Sequence, residues 1–301
     1  MEDFTKQFSN IEIYKDKSIA EYAFAQVGGI VDYLAFPKNE QEMEKLLVAA
    51  SHEDLPVHVL GQLSNMLISD QGVQGLVIIT SEMKKIEING RDVIAGAGID
   101  MISVSEFAYE HALSGLEWAA GLPGSVGGAV YMNAGAYGGN TADCLKSVVA
   151  LDKNGRPTVL TKKKLGFSYR NSGIQKNDYY IIQATFELKP DQPDEIRRWM
   201  DEFNLRRIDK QPLNLPSNGS VFKRPSGYYA GKLVSDAGLQ GVQIGGAQLS
   251  TKHANFIVNI DHAKTEDYLN LINLVKHTIK EKNGIDMELE IKMIGKGFTE
   301  N

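Results

Sequence analysis

The sequence predicts an α+β protein of more than one domain, on three observations. Strand-like and helix-like segments intermix without the regular strand–helix–strand repeat of a doubly wound sheet. The texture breaks near residue 190, where Lys189-Pro190-Asp191-Gln192-Pro193 is polar and proline-bearing. Near the C-terminal end, Met287, Leu289, Ile291 and Met293 alternate strictly with Glu288, Glu290 and Lys292. That two-residue period is the mark of a half-buried strand.

Taken in order, residues 38–50 predict a helix. Asn39 and Glu42 have capping-box spacing, and Leu46, Leu47 and Ala50 supply an apolar stripe. Pro56 to Leu60 reads as a strand running into Gly61, and residues 75–80 and 93–96 as further short strands. Residues 100–113 predict a second amphipathic helix, with Ile102, Phe107, Ala108 and Leu113 on or near one face. Residues 147–160 predict a hairpin turning at Asn154-Gly155, and 179–188 is the longest strand-like run. An arginine-bearing helix follows over about 193–207, and the main domain border is drawn before it. Residues 265–282 predict a helix capped by Thr265, with Tyr268, Ile272, Val275 and Ile279 as its stripe and Gly284 past its end.

The bulk numbers bound the function. The chain has 301 residues, 43% hydrophobic and 23% charged, which is ordinary for a globular protein. A net charge of -6 and the lack of a basic block exclude a general nucleic-acid binder. The single cysteine, Cys144, allows no internal disulfide and suits a reducing compartment. The N-terminus lacks a signal-peptide pattern, and no stretch approaches the ~20 apolar residues of a membrane span. These features predict a soluble cytoplasmic protein.

The densest signal is Gly121 to Gly139, GLPGSVGGAVYMNAGAYGG, with seven glycines in 19 residues and no charge. Glycine loses the most backbone freedom on folding, so such density predicts tight turns or backbone laid against a ligand. A second loop, Gly61-Gln62-Leu63-Ser64-Asn65, follows a strand directly. Small polar residues and open backbone N–H groups at a strand end can receive a phosphate. Alone, that loop reads first as a plain turn. Two such loops in one domain fit a pyrophosphate-bearing cofactor.

Other motifs fail. No Cys/His cluster suits zinc, so no metal is expected. GYYAGKL at 227–233 lacks the spacing and hydroxyl of a phosphate loop. Gly96-Ala97-Gly98 has Met101 where a dinucleotide fingerprint needs its third glycine. Three residues are unremarkable by themselves. Arg170 reads as a surface arginine, Ser220 as a cap, and Glu290 as a solvated carboxylate on the last strand.

Taken in order, these pieces resemble the bacterial UDP-N-acetylenolpyruvoylglucosamine reductases. The carrying motifs are GGIVDYLAFP (28–37), GQLSNMLI (61–68), LEWAAGLPGSVGGAVYMNAGAYGG (116–139), YRNS (169–172) and KQPL (210–213). GSVFKRP (219–225), AGKLVSDAGLQG (230–241), GGAQLSTKHANFIVN (245–259) and LEIKMIG (289–295) complete the set. The length resembles the shorter subtype, which lacks an insertion in the substrate domain.

The resemblance implies an FAD-binding fold of the vanillyl-alcohol-oxidase/p-cresol-methylhydroxylase type. Its two α+β subdomains are placed at 1–60 and 61–192, followed by an α+β substrate domain at 193–301. It implies that NADPH reduces FAD, and that hydride then passes from flavin N5 to the enolpyruvyl alkene of UDP-N-acetylglucosamine enolpyruvate. The product is UDP-N-acetylmuramate, a peptidoglycan precursor. Arg170 and Glu290 match the pair that contacts the substrate carboxylate, and Glu290 is expected to be protonated there. Ser220 matches the proton donor to the carbanion. Lys210, Arg224 and His253 match positions near the anionic nucleotide sugar. For FAD the match implicates Gly61, Ser64, Asn65, Gly121, Gly124, Ser125, Val126, Gly127, Gly128, Asn133, Gly135 and Ala136. A monomer with no nucleic-acid or membrane partner is expected.

The chain departs from the family pattern at Gln62 and Leu63, where Asn and a small residue are usual. Ala25 stands for a common threonine, and Asn218 for a frequent cysteine. Two other readings stay open on these residues: a flavin- or nucleotide-sugar-binding protein without turnover, and a sugar or alcohol oxidase on the same scaffold. The complete YRNS, GSVFKRP and LEIKMIG set speaks against the oxidase.

Overall fold

The computed structural model describes residues 4–298. The chain divides into two compact units, neither contiguous in sequence. The first takes the N-terminal segment through Lys15, then Tyr33–Gln62 and Gly75–Arg207. The second takes Asp16–Asp32, Leu63–Gln74 and everything from Ile208 onward.

The arginine-bearing helix runs Pro193–Lys210 and belongs to the first unit through Arg207. The sequence reading drew its border before this helix, at 193. Ile196 and Met200 instead bury with Ala120, and Tyr109 packs against them. Arg197 grips Glu106 with two hydrogen bonds of 3.0 and 2.6 Å. Pro193 opens the helix because a first-turn N–H has no intrahelical partner to lose. The proline-bearing break therefore marks a helix start, and the change of unit comes about a helix length later.

Two cores fill the first unit. One lies on a five-stranded antiparallel sheet in the order Pro157–Thr161, Leu145–Asp152, Tyr179–Glu187, Asp92–Gly96, Ile86–Asn89. The hairpin expected at Asn154-Gly155 forms, with Leu151 opposite Pro157 and Gly155 at φ +77°. Helix Met101–Glu110 starts at Asp100, whose carboxylate accepts the Ser103 N–H at 2.8 Å. Its buried face is Met101, Val104 and Ala108. Ile102 is 38% exposed, and Leu113 lies past the helix in a short strand paired with Lys189–Pro190. The predicted stripe holds at Ala108 and at Phe107, which packs against this core, but fails at Ile102: Met101 is buried in its place, and period alone cannot choose between two adjacent apolar residues.

The other core of this unit gathers Phe4, Ile11, Met43, Leu46, Leu47, Ala50, Leu76 and Ile78. It rests on helix Glu40–His52 and on the parallel pairing of Val57–Leu60 with Val73–Ile79. Asn39 caps that helix by accepting the Glu42 N–H at 3.0 Å, while Glu42 accepts the Lys38 N–H at 2.8 Å. Leu151 and Ile182, from two strands of the antiparallel sheet, belong to this second core.

In the second unit the strand order is Ser217–Ser220, Phe256–Asn259, Ala247–Leu249, Gln243–Ile244, all antiparallel. Helix Thr265–Asn283 buries Tyr268, Leu271, Ile272, Val275 and Ile279 in this unit's core, and Gly284 ends it in the left-handed region at φ +68°. Lys264, not Thr265, is the capping residue, and Asp267 accepts its N–H at 2.9 Å. The Thr265 hydroxyl is taken elsewhere: it donates to the Ile68 carbonyl at 2.7 Å and accepts the Asp70 N–H at 3.1 Å. The last strand is shorter than its alternation predicts. Only Lys292–Ile294 is regular, and it pairs in parallel with Met66–Ile68. Residues 288–290 bond instead to the chain after Ser220. Met287 and Ile291 are buried, while Leu289 and Met293 are half-buried.

Candidate active site

In the first unit, the glycine-rich segment folds into a turn and helix Val126–Met132. Ser125 caps that helix by accepting the Gly128 N–H at 3.2 Å. Three further donors of the turn are also consumed by protein. Gly124 donates to Gln62 Oε1 at 3.1 Å. Val126 and Gly127 donate to the carbonyls of Ile99 and Ala97 at 2.8 and 2.9 Å, and Pro123 has no N–H.

The glycines here serve close packing as much as ligand access. A Cβ on Gly121 would run into Asn204 and Arg207, one on Gly135 would lie 2.6 Å from the Gly139 carbonyl oxygen, and one on Gly139 would lie 2.5 Å from Trp118. Gly127 would meet Ala97 at 3.2 Å. Gly128 differs: its Cβ would meet only the Ser125 hydroxyl, at 3.4 Å.

Asn133 ends the short helix in the left-handed region, φ +44°. Its side chain spans two segments, donating to the Ser168 carbonyl and accepting the Ala142 N–H, both at 3.0 Å. Ala136 pairs with Gly139. Arg170, also left-handed at φ +53°, donates from Nη2 to the Gly135 carbonyl at 3.1 Å. Its guanidinium lies 5.0 Å from the Tyr169 ring centroid. Tyr137 stacks on Phe203 at 4.9 Å, and Phe203 on Trp199 at 5.5 Å. Buried Arg207 sits 5.7 Å from the Tyr137 ring.

The loop 61–65 crosses the unit border after Gln62. A side chain on Gly61 would collide with the Ser125 hydroxyl. Leu63 takes φ +54° and is only 3% exposed, so its branched side chain turns into the protein. The N–H groups of Gln62 and Leu63 meet no backbone acceptor among the described residues. Successive amides ending in a left-handed residue make a concavity that binds phosphate oxygens. Neither this loop nor residues 121–139 contains an acidic side chain. The donor set therefore fits the diphosphate of FAD, with the loop supplying amides and Gly128 a bare surface.

In the second unit, Ser220 ends its strand at a bulge. Ser217 pairs with Val258 but Ser220 with Phe256, three residues against two, and Gly219 takes the extra bend at φ +73°. The chain after Ser220 then runs beside Glu290. The Glu290 N–H donates to the Val221 carbonyl at 2.8 Å, and the Lys223 N–H to the Glu288 carbonyl at 2.9 Å. Asn65 closes the corner, donating from Nδ2 to the Glu290 carbonyl at 3.1 Å and accepting the Lys292 N–H at 2.9 Å. Ser220, Asn65 and Glu290 thus come together from three distant parts of the sequence. Ser64 precedes this corner. Its carbonyl lies 3.8 Å from where a Gly219 Cβ would stand.

His253 packs edge-on against Phe256 at 4.8 Å, and its Nδ1 accepts the Asn255 N–H at 3.3 Å. Burial pushes its imidazole below the ordinary histidine pKa. Arg224 is exposed and lies 4.1 Å from the Tyr229 ring centroid. Lys210 is exposed at the end of its helix. Arg170 belongs to the first unit, whereas Ser220, Glu290, Lys210, Arg224 and His253 belong to the second.

Sequence reasoning missed four residues. Asn255 grips the backbone of Phe222 twice, accepting its N–H at 3.1 Å and donating to its carbonyl at 2.9 Å. Asn218 is fully buried, with neither side-chain polar atom hydrogen-bonded among the described residues. Lys292 is half-buried, and burial followed by the neighbouring Lys223 holds its ammonium below the ordinary lysine pKa. Its place two residues after Glu290, on the polar side of the alternation, was the available signal. Gln62 stood out only as a departure. Ala25, another departure, is tied through its backbone: its carbonyl accepts Asn259 Nδ2 at 3.0 Å.

Among the described residues no group of three or more His, Cys, Asp or Glu is placed to hold a metal. No helix is long and apolar enough to cross a membrane.

The chain is similar to known proteins along nearly its whole length. Residues 31–161 match a family described as an FAD binding domain, and residues 211–294 match the UDP-N-acetylenolpyruvoylglucosamine reductase C-terminal domain. A UDP-N-acetylenolpyruvoylglucosamine reductase of Leuconostoc mesenteroides is 50% identical, over 96% of this chain and 99% of its own length. One of Limosilactobacillus reuteri is 47% identical, over 98% and 99%. The crystal structure of the Thermus caldophilus reductase superposes with a TM-score of 0.82 at 32% identity, covering 96% of this chain and all of that one.

Proposed function

The chain belongs to the UDP-N-acetylenolpyruvoylglucosamine reductase family, and we propose that Ser220, Glu290 and Arg170 are the residues with which it performs the family reaction. That reaction is the NADPH-dependent, FAD-mediated reduction of UDP-N-acetylglucosamine enolpyruvate to UDP-N-acetylmuramate, a step of peptidoglycan precursor synthesis. When bound, FAD would supply the hydride chemistry, with NADPH as the donor.

The enolpyruvyl alkene is conjugated with a carboxylate, so hydride addition at its terminal carbon leaves negative charge on the other alkene carbon and the carboxylate. Arg170 binds that carboxylate, because a guanidinium fork reaches two oxygens and keeps its charge. Glu290 binds it as a protonated acid, donating a hydrogen bond where an ionised carboxylate would repel. Ser220 gives its proton to the carbanion. A hydroxyl is a weak acid in water, so it needs a strongly basic carbon held close in a dry site. Lys210, Arg224 and His253 hold the nucleotide sugar, the two cations by charge.

Gly61, Ser64 and Asn65 hold the FAD diphosphate together with the glycine-rich turn, Gly121 and Gly124 through Gly128. Asn133, Gly135 and Ala136 shape the adjoining wall. Within this reading, residues 1–60 and 61–192 act as two cofactor subdomains, and the substrate domain expected at 193–301 begins at the end of helix Pro193–Lys210. The protein works as a cytoplasmic monomer.

The observation that carries the catalytic assignment is the hydrogen-bonded corner in which Asn65, the chain after Ser220 and Glu290 meet. The test is Ser220→Ala, with the two half-reactions followed separately by flavin absorbance. Flavin reduction by NADPH should survive, while transfer to the enolpyruvyl substrate falls by ~10²–10⁴-fold. Two intact half-reactions would remove Ser220 from the mechanism.

A further inference from the structure

We infer that Gln62 is a positioning residue of the cofactor site: its carboxamide ties the loop 61–65 to the glycine-rich turn and presets the cradle before FAD arrives. The inference rests on the reading that these two segments hold the diphosphate.

The tie is the hydrogen bond from the Gly124 N–H to Gln62 Oε1, 3.1 Å long. Gly124 is a poor place to leave a donor unmet. It takes φ +140°, a conformation that L side chains rarely adopt, and it follows Pro123, which has no N–H. Its neighbours find their acceptors locally: Val126 on Ile99, Gly127 on Ala97, Gly128 on Ser125. Gly124 takes its partner from the facing loop.

The contact beside it is bare. Gly61 approaches Ser125 so closely that any side chain would collide. The two loops therefore touch at Gly61 and Ser125 and are bonded at Gln62 and Gly124. Touching gives no direction, whereas the hydrogen bond fixes the orientation of the Pro123–Gly124 peptide.

The side-chain length is specific. Asparagine is one methylene shorter, which draws its oxygen back by about 1.5 Å. At 3.1 Å the existing bond has no slack of that size. The departure at position 62 thus supplies something particular to this chain: a side chain long enough to bridge the loops by itself. It also frees the loop's own amides for the ligand, since the bridge uses the carboxamide and leaves the Gln62 and Leu63 N–H groups without a backbone acceptor. A site preset in this way binds more tightly because less ordering remains to be done on association.

The experiment uses the full chain, stripped of FAD and then reloaded, as wild type, Gln62→Ala and Gln62→Glu. Amide exchange by mass spectrometry is read on peptides covering 61–65 and 121–128, and FAD affinity by flavin fluorescence. In the FAD-free protein, Gln62→Ala should speed exchange at 121–128 and raise the Kd for FAD about 3- to 10-fold, the scale of one ordinary hydrogen bond. Gln62→Glu keeps an acceptor of the same length, so exchange should stay slow. Its charge beside a diphosphate should nevertheless weaken FAD more than Gln62→Ala does. That split between protection and affinity is one that a merely structural residue would not produce. Unchanged exchange or unchanged affinity in Gln62→Ala would overturn the role of Gln62. If FAD protects neither peptide in the wild type, the cradle reading itself is what fails.

Discussion

Residues 121–139 and the corner around Ser220 and Glu290 are both proposed to meet ligands, yet they are assembled differently. The first is a single stretch of chain, nearly free of functional groups. Its glycines let backbone lie against Ala97, Trp118 and Asn204, and its amides are largely satisfied within the protein. The second has no compositional signature. It consists of ordinary polar residues brought together by one bulge and a few backbone hydrogen bonds between segments 225 residues apart. Glycine density therefore reports how tightly a chain must pack, and only some positions within it report a ligand. Reactive groups can sit where the sequence shows nothing unusual.

The comparison breaks first at Glu290. If the corner is chemical, Glu290→Ala should cost ~10²–10⁴-fold in the transfer half-reaction, while Glu290→Gln, a neutral donor of similar shape, retains more of it. Equal losses in a stopped-flow measurement would show that hydrogen-bond donation to the substrate is not what Glu290 does.

Next comes packing. Gly135→Ala should destabilise the protein by about 1–3 kcal/mol, because its Cβ would lie 2.6 Å from a backbone oxygen that cannot rotate away. Thermal or denaturant unfolding reads this directly. Gly128→Ala is the contrasting case within the same segment. Its Cβ meets protein only at 3.4 Å, and alanine is favoured over glycine in a helix by roughly 0.5–1 kcal/mol. The FAD-free variant should keep its stability or gain slightly while FAD binding weakens. Intact FAD affinity would assign Gly128 to packing as well.

The smallest effect is a slope with pH. Burial holds His253 below its unfolded value, so the unfolded chain binds a proton first as pH falls. Its contribution to stability is complete above about pH 6.5 and declines beneath it. His253→Gln should flatten the pH dependence of unfolding in that acidic window and leave it unchanged at pH 8.

Much of the fold was legible because local rules and tertiary packing agree. Asn39 caps its helix as its spacing predicts, Asn154-Gly155 turns a hairpin, and Gly284 ends the long C-terminal helix. Two of the failures share a cause, which is competition from distant partners. Thr265 has the chemistry of a cap, but its hydroxyl is claimed by Ile68 and Asp70. The alternating strand after Met287 is cut short because residues 288–290 bond to the chain following Ser220. In the candidate site, resemblance supplied Ser220 and Glu290 where composition could not. Asn255, Lys292 and the bridge made by Gln62 needed coordinates, since each depends on a neighbour remote in sequence or on burial.

The second unit is stitched from three separated pieces, and this has a consequence for synthesis. Residues 16–32 and 63–74 leave the ribosome long before Ile208 onward exists to receive them. Asn65 must wait for a partner 225 residues downstream. At roughly 5–20 residues per second that is about 10 to 45 seconds of translation. During this interval Met66–Ile68, whose partner strand is Lys292–Ile294, has an edge with nothing to pair with. The nascent chain is therefore obliged to hold an early, apolar strand open until residues 292–294 are made. A pause or truncation before residues 288–292 would leave this corner unformed, even with Ser220 already made.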